Sequence, residues 1–355
     1  INGEISINMS IITETLGDIR LDEPLAHRTL TLFPLIRAVD GPPDYLTLDQ
    51  AMAGSSVKVE EVSESGHVPE IRFENTGDKA TLLVDGEEII GGMQNRILNL
   101  SILVPAYATV TIPVSCVEAG RWGRRGSADH RNRDRILRSK RREQQFRESE
   151  HIAFMKMRRA KHLAVSANMR AVGGRRSSQA EVWSEIEDLN YDIGTESPTR
   201  AMWDSYEQRR GSLDEFVQAL PATKDQIGAV FALNNRIVGL DLFDHPQTLS
   251  RLLPKLIRSH AMDALRESEN VAAVTSKDAA QDFMNSVSNA TPTSYPAIGE
   301  GEDLRLETKE IAGGGLEARG RLIHLCAFAE EDNRDTPRKR YSQAWTRRQA
   351  PRRTG

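Results

Sequence analysis

Apolar and polar positions alternate along the first third of the chain. Thr29-Leu30-Thr31-Leu32-Phe33 has a period of two, the mark of a strand with one buried face. Similar short runs recur at 57–62, 70–74, 80–85, 88–90, 96–104 and 109–117. Residues 11–45 read as an N-terminal strand region, broken by the Gly41-Pro42-Pro43-Asp44 loop. A short helix follows at 48–53, with Thr47 as its cap. Asn75-Thr76-Gly77-Asp78 has turn chemistry, and Gly91-Gly92 fits a bulge or a close backbone approach. Many short strands separated by turns predict an antiparallel sandwich-like part.

The period then changes. Residues 132–170 lack Gly and Pro and are rich in Arg, Glu, Gln and Ala, which predicts one or two exposed basic helices ended by Gly173-Gly174. Further helices are expected at 178–189, 199–209 and 212–219, the last two opened by Thr or Ser caps. Residues 227–243 read as a hairpin around Asn234-Asn235, because Asn visits the left-handed region at low cost. Asp244 caps a helix with Pro246 in its first turn, running to about Glu267, and a helix at 276–287 follows. Segments 304–311 and 316–328 close the fold as a hairpin turning at Gly313-Gly314-Gly315.

The expected fold class is therefore α+β: an antiparallel β-sandwich-like N-terminal part, a mainly helical middle, and a C-terminal β-hairpin returning to the sheet. The expected organisation is a β-rich part at 11–122 and a helical part at 123–329 with hairpins at 227–243 and 304–328, forming one compact unit. A disordered basic tail is expected at 330–355.

The chain has 355 residues, 39% hydrophobic, enough for a sizeable core. Its net charge of -4 is unevenly spread: residues 121–176 hold eighteen Lys and Arg against five acids. This asymmetry implies an anionic partner at residues 124–176, an acidic protein or nucleic acid, or an acidic face in the same molecule. Few aromatics interleave there, so phosphate-backbone contact is favoured over base stacking. No apolar run is long enough for a membrane helix, and INGEISINMS does not read as a signal peptide. Cys116 and Cys326 belong to no CxxC pair and read as buried free thiols of a cytoplasmic protein.

The densest chemistry lies between Asp85 and Trp122. Glu87 and Glu88 are adjacent, so on a strand they point to opposite faces and at most one joins a shared site. The carboxylate could bind ribose hydroxyls, a metal or a water. Gln94 and Asn95 offer amides, and Arg96 a fork for phosphate or carboxylate. Glu118, Arg121 and Trp122 would form a second wall, with Trp122 available to stack on a base. All eight residues have a structural alternative as an internal network. Cys116 has no base nearby in sequence, and His324 reads as a core or network histidine. There is no P-loop, GxGxxG or HExxH, so no metal is expected and no cofactor is named.

The blocks VDGEEIIGGMQNRILNLSILVPA, IPVSCVEAGRW, QAEVW, VGLDLFD and GRLIHLCAF resemble the ARG and rhodanese-phosphatase-superfamily associated protein domain, a bacterial domain of unknown function. The similarity spans about residues 15–329. The resemblance implies company with ADP-ribosylglycohydrolase and rhodanese-like phosphatase proteins. A nucleotide-type ligand, ADP-ribose or an NAD-derived metabolite, is thus the expected small molecule. The alternative is a non-enzymatic scaffold working through the basic segment.

Overall fold

A computed structural model describes residues 10–62, 69–119, 146–267 and 275–330. Arg121, Trp122, the basic stretch up to 145 and the tail beyond 330 lie outside the described residues.

The first part runs α1 (Ile11–Gly17), β1 (Arg20–Leu21), β2 (Leu25–His27), β3 (Leu30–Ile36), β4 (Tyr45–Thr47), α2 (Leu48–Ala53), β5 (Val57–Glu61), β6 (Glu70–Asn75), β7 (Ala80–Leu83), β8 (Glu87–Ile90), β9 (Arg96–Leu98), β10 (Ile102–Val104) and β11 (Thr109–Cys116). The second continues with β12 (Arg147–Ile152), α3 (Met155–Val172), α4 (Gln179–Asp192), α5 (Met202–Gln208), α6 (Arg210–Ala219), β13 (Gln226–Leu233), β14 (Arg236–Phe243), α7 (Pro246–Ala264), α8 (Lys277–Asn289), β15 (Thr293–Pro296), β16 (Glu302–Glu307), β17 (Ile311–Ala318) and β18 (Arg321–Ala329).

These strands make three sheets. The largest has nine strands, ordered β1-β3-β13-β14-β18-β17-β16-β15, with β2 also on β3. Residues 20–36 therefore share one sheet with residues 226–329. The period of two in β3 explains why it is central: Phe33 and Leu35 pack with Ile12 and Leu16 of α1 and with Ala280 and Met284 of α8. Leu30 and Leu32 face the other way, against Leu249, Leu252 and Leu256 of α7. Both faces of the sheet are thus covered. A six-stranded sheet (β12-β8-β9-β11-β6-β5) and a three-stranded one (β10-β7-β4) pack around a separate core of Ile71, Phe73, Leu83, Ile102, Val104 and Ile112. The fold is α+β, with the expected sandwich-like part and a C-terminal hairpin, β17–β18, in the large sheet.

Several local expectations match. Thr47 caps α2 in a reciprocal box with Gln50, Gly173 ends α3 in the left-handed region, and Asn234 and Asn235 turn the β13–β14 hairpin with φ of 44° and 66°.

Others are corrected. Residues 11–17 form a helix, capped by Ser10. His245, not Asp244, caps α7, because Asp244 accepts a hydrogen bond from Tyr45 instead. No side-chain cap opens α5 or α6. The Gly313–Gly315 triplet lies within β17, not in a turn. A Cβ at Gly313 would run into the backbone of β18 at Cys326 and Ala327, and one at Gly314 would sit 3.1 Å from the His162 ring of α3, which packs on β17.

The basic segment is corrected most. Residues 147–152 form strand β12 on β8 rather than helix. In α3, Arg158, Lys161 and His162 are buried. Arg170 in its last turn meets Glu307, and Arg176, beyond its end, meets Glu70. Within the described residues, α3 is not a solvated basic face.

Candidate functional site

The link between β8 and β9 reverses the chain through Gly91 and Gly92, at φ of 122° and 60°. It carries Gln94 and Asn95 to the end of β11, where Glu118 follows. Five of the predicted residues meet here. The Asn95 backbone N–H donates to Glu118 Oε2 at 3.4 Å, and Asn95 Oδ1 accepts from the Gly91 N–H at 3.3 Å. Gln94 Oε1 accepts from the Cys116 thiol at 2.5 Å. Ser149 Oγ, from β12, donates to Glu88 Oε2 at 2.9 Å. Arg96 is fully buried, and its fork grips Glu61 at 3.0 and 3.2 Å.

Glu88 stands apart energetically. It is buried, and no donor reaches Oε1 in hydrogen-bond geometry among the described residues. Burial pushes its pKa up to about 8, with the Glu118 and Asp204 charges adding to the rise; Ser149 and Asn95 oppose it. At neutral pH Glu88 is largely a protonated acid, able to donate as well as accept. Burial likewise pushes the Cys116 thiol up to about 11, so it is no nucleophile at neutral pH.

Glu87 does not join this cluster. As strand alternation requires, it faces the other way, where Oε1 meets Lys255 Nζ at 3.1 Å and Oε2 accepts from the Val84 N–H. Lys255 also donates to Asp49 at 2.6 Å. Arg121 and Trp122 lie outside the described residues.

A second polar centre was not singled out as a site in the sequence. It lies where α3 and the β7–β8 turn meet the large sheet. Arg158 is fully buried and bridges two carboxylates, Asp85 (3.0 and 3.1 Å) and Asp241 (3.0 and 2.7 Å). Burial raises the pKa of Asp241, but the Arg158 charge and hydrogen bonds from His260, His324 and Arg158 together outweigh it and hold the carboxyl below its usual range. His162 Nε2 lies 3.0 Å from Asp85 Oδ2 and 3.2 Å from Cys326 Sγ. Arg305 can only donate, and it points Nη1 at His162 Nδ1 from 3.2 Å. His162 therefore carries its proton on Nε2 and donates to Asp85; it is not a base for the Cys326 thiol. His324 lies beside them, with Nδ1 2.8 Å from Ser101 Oγ and Nε2 3.5 Å from Asp241 Oδ1.

The signals for this centre existed but were weak. Asp85 and Asp241 interrupt apolar strand sequence, Arg158 and His162 are four apart on one helix, and His324 and Cys326 are two apart on one strand. Nothing local says that these four segments converge.

The model of the ARG and Rhodanese-Phosphatase-superfamily-associated Protein domain matches residues 18–328. The chain belongs to that family. The matched span takes in both polar centres and all three sheets. No curated protein and no solved structure matches the chain.

A surface cleft of about 640 Å³ lies elsewhere, lined by Thr223, Lys224, Gln226, Gln247, Ser250 and Arg251 among others. Its size suits a small molecule. None of the predicted residues that are described lines it, and its buried amide, Gln226, is already bonded to Thr223 and to the Gly228 carbonyl. The Glu88 cluster holds the more pointed chemistry.

Proposed function

We propose that the protein binds a nucleotide-type metabolite, ADP-ribose or an NAD-derived compound, at Glu88, Asn95 and Glu118. The observation that carries this reading is the buried Glu88 carboxyl, one oxygen of which no donor reaches among the described residues. A buried polar atom left without a partner costs about 1–3 kcal/mol, which a hydrogen bond between it and a ligand hydroxyl would recover. Glu88 and Glu118 together suit vicinal ribose hydroxyls, and the Gln94 and Asn95 amides suit a base edge or carboxamide. Arg96 is already engaged by Glu61, so this site recognises the sugar side of the ligand rather than its phosphates. Family membership supports the ligand class through the proteins after which the family is named.

A thermal-shift panel of ADP-ribose, NAD, nicotinamide and ordinary nucleotides tests the reading. ADP-ribose or NAD should raise the melting temperature. Glu88→Ala and Asn95→Ala should reduce that shift, while Lys224→Ala in the separate cleft leaves it intact. Absence of a shift with every compound would sink the proposal.

A further inference from the structure

The second polar centre can do something the first cannot. We propose that Asp85, His162, His324 and Cys326 form a closed binding site for a zinc-type divalent cation.

The geometry carries the argument. Potential ligand atoms of Asp85, His324 and Cys326 all lie within 4.8 Å of one another. His162 lies beside this group, its Nε2 3.0 Å from the other Asp85 oxygen, Oδ2, and 3.2 Å from Cys326 Sγ, and is the fourth donor of the proposed set. The Cys326 Sγ to Asp85 Oδ1 separation is 3.5 Å, and His324 Nδ1 to Asp85 Oδ1 is 3.9 Å. A tetrahedral zinc with ordinary Zn–N, Zn–O and Zn–S bonds has ligand–ligand edges of about 3.3–3.6 Å. The separations from Asp85 Oδ1, 3.5 Å to Cys326 Sγ and 3.9 Å to His324 Nδ1, lie close to that range.

The surroundings are those of a metal site. Asp241 can only accept and lies 3.5 Å from His324 Nε2, which places the His324 proton on Nε2 and the lone pair on Nδ1, where Ser101 Oγ now sits. This is the carboxylate–histidine arrangement that orients metal-binding imidazoles. Arg158 donates to both oxygens of Asp85 and both of Asp241 and so fixes the two carboxylates. Gly314 leaves the space that the His162 ring fills. Two nitrogens, one oxygen and one sulfur favour zinc over magnesium or calcium, which take oxygen donors. All four side chains are at most 3% exposed. With no position open to solvent, the metal would be structural, joining α3, β18 and the β7–β8 turn.

Binding balances simply. Cys326 releases its thiol proton to solvent and ligates as thiolate. His162 moves its proton from Nε2 to Nδ1 and ligates through Nε2. Arg305, which now faces Nδ1, turns fully to Asp303, its partner at 2.6 Å. Ser101 Oγ withdraws from His324 Nδ1.

The full chain, purified without chelator, is assayed for metal and then loaded with cobalt(II). About one cobalt per chain is expected, with tetrahedral d–d absorption and a thiolate-to-cobalt charge-transfer band. Cys326→Ser should abolish that band and His324→Gln should weaken cobalt binding at least tenfold. Cys116→Ser, at the chain's other thiol, should keep it. A cobalt spectrum without the band, or a band that survives Cys326→Ser, overturns the site. Should Cys326→Ser fail to fold, X-ray absorption of the wild-type complex decides: one sulfur with nitrogen and oxygen donors supports the site, and no sulfur overturns it. Metabolite binding is read separately, so either proposal can fail alone.

Discussion

Glu88 shows how much one buried carboxyl can set. With its pKa near 8 against an ordinary 4.5, the folded protein holds this proton more tightly than the unfolded chain. The resulting stabilisation is fully present below about pH 4.5 and is lost as pH rises through about 8. Glu88→Gln keeps an acceptor for Ser149 and removes the titration. The variant should be more stable than wild type at pH 8 and above, by roughly 3–5 kcal/mol. Its advantage should shrink to little near pH 4.5. Urea melts of both proteins across this range check it, and parallel pH profiles would contradict it. Arg158 works the other way: it is a charge kept charged. Burial opposes its ionisation, but Asp241 and Asp85 more than compensate and raise its pKa. Neither role was legible locally. In sequence, Arg158 and Lys161 look like two more cations of a basic run. Their partners Asp85, Asp241 and the Leu98 carbonyl lie at least sixty residues away.

At the scale of elements, the turn between β7 and β8 organises both polar centres. Asp85 leaves it toward Arg158, and Glu87 and Glu88 follow it on opposite faces. Gly86 makes the turn possible, with φ of 79° and the Arg158 stem 3.1 Å from where a Cβ would stand. Gly86→Ala combines backbone strain with that contact. It should cost roughly 1–3 kcal/mol in urea unfolding. An unchanged midpoint would show that the turn is not under this constraint. Elements whose signals are local were the legible ones: the Thr47 box, the Asn234-Asn235 turn and the alternating strands. The Gly313–Gly315 triplet misled because a glycine run signals a turn equally well as a close approach. The approaching helix is invisible from the triplet itself.

For the whole molecule, the large sheet sets the pattern of cooperation. β3 lies between β1 and β13, and β13 comes from the second half of the chain. Residues 1–122 expressed alone should therefore lack a cooperative thermal transition, because Phe33 and Leu35 lose their cover from β13, β14 and α8. A sharp calorimetric transition for that fragment would refute this. Among the described residues, no helix is long and apolar enough to cross a membrane.

The sequence by itself determined the α+β class, most element types, the family and the grouping of Glu88, Gln94, Asn95, Arg96 and Glu118, because periodicity, caps and short separations are local properties of a chain. Only the tertiary structure decided that Glu87 leaves that group, that Arg96 is held by Glu61, and that Asp85, Arg158, His162, Asp241, His324 and Cys326 share one buried centre. A charge's environment depends on which distant segments exclude water around it, and that is set by packing alone.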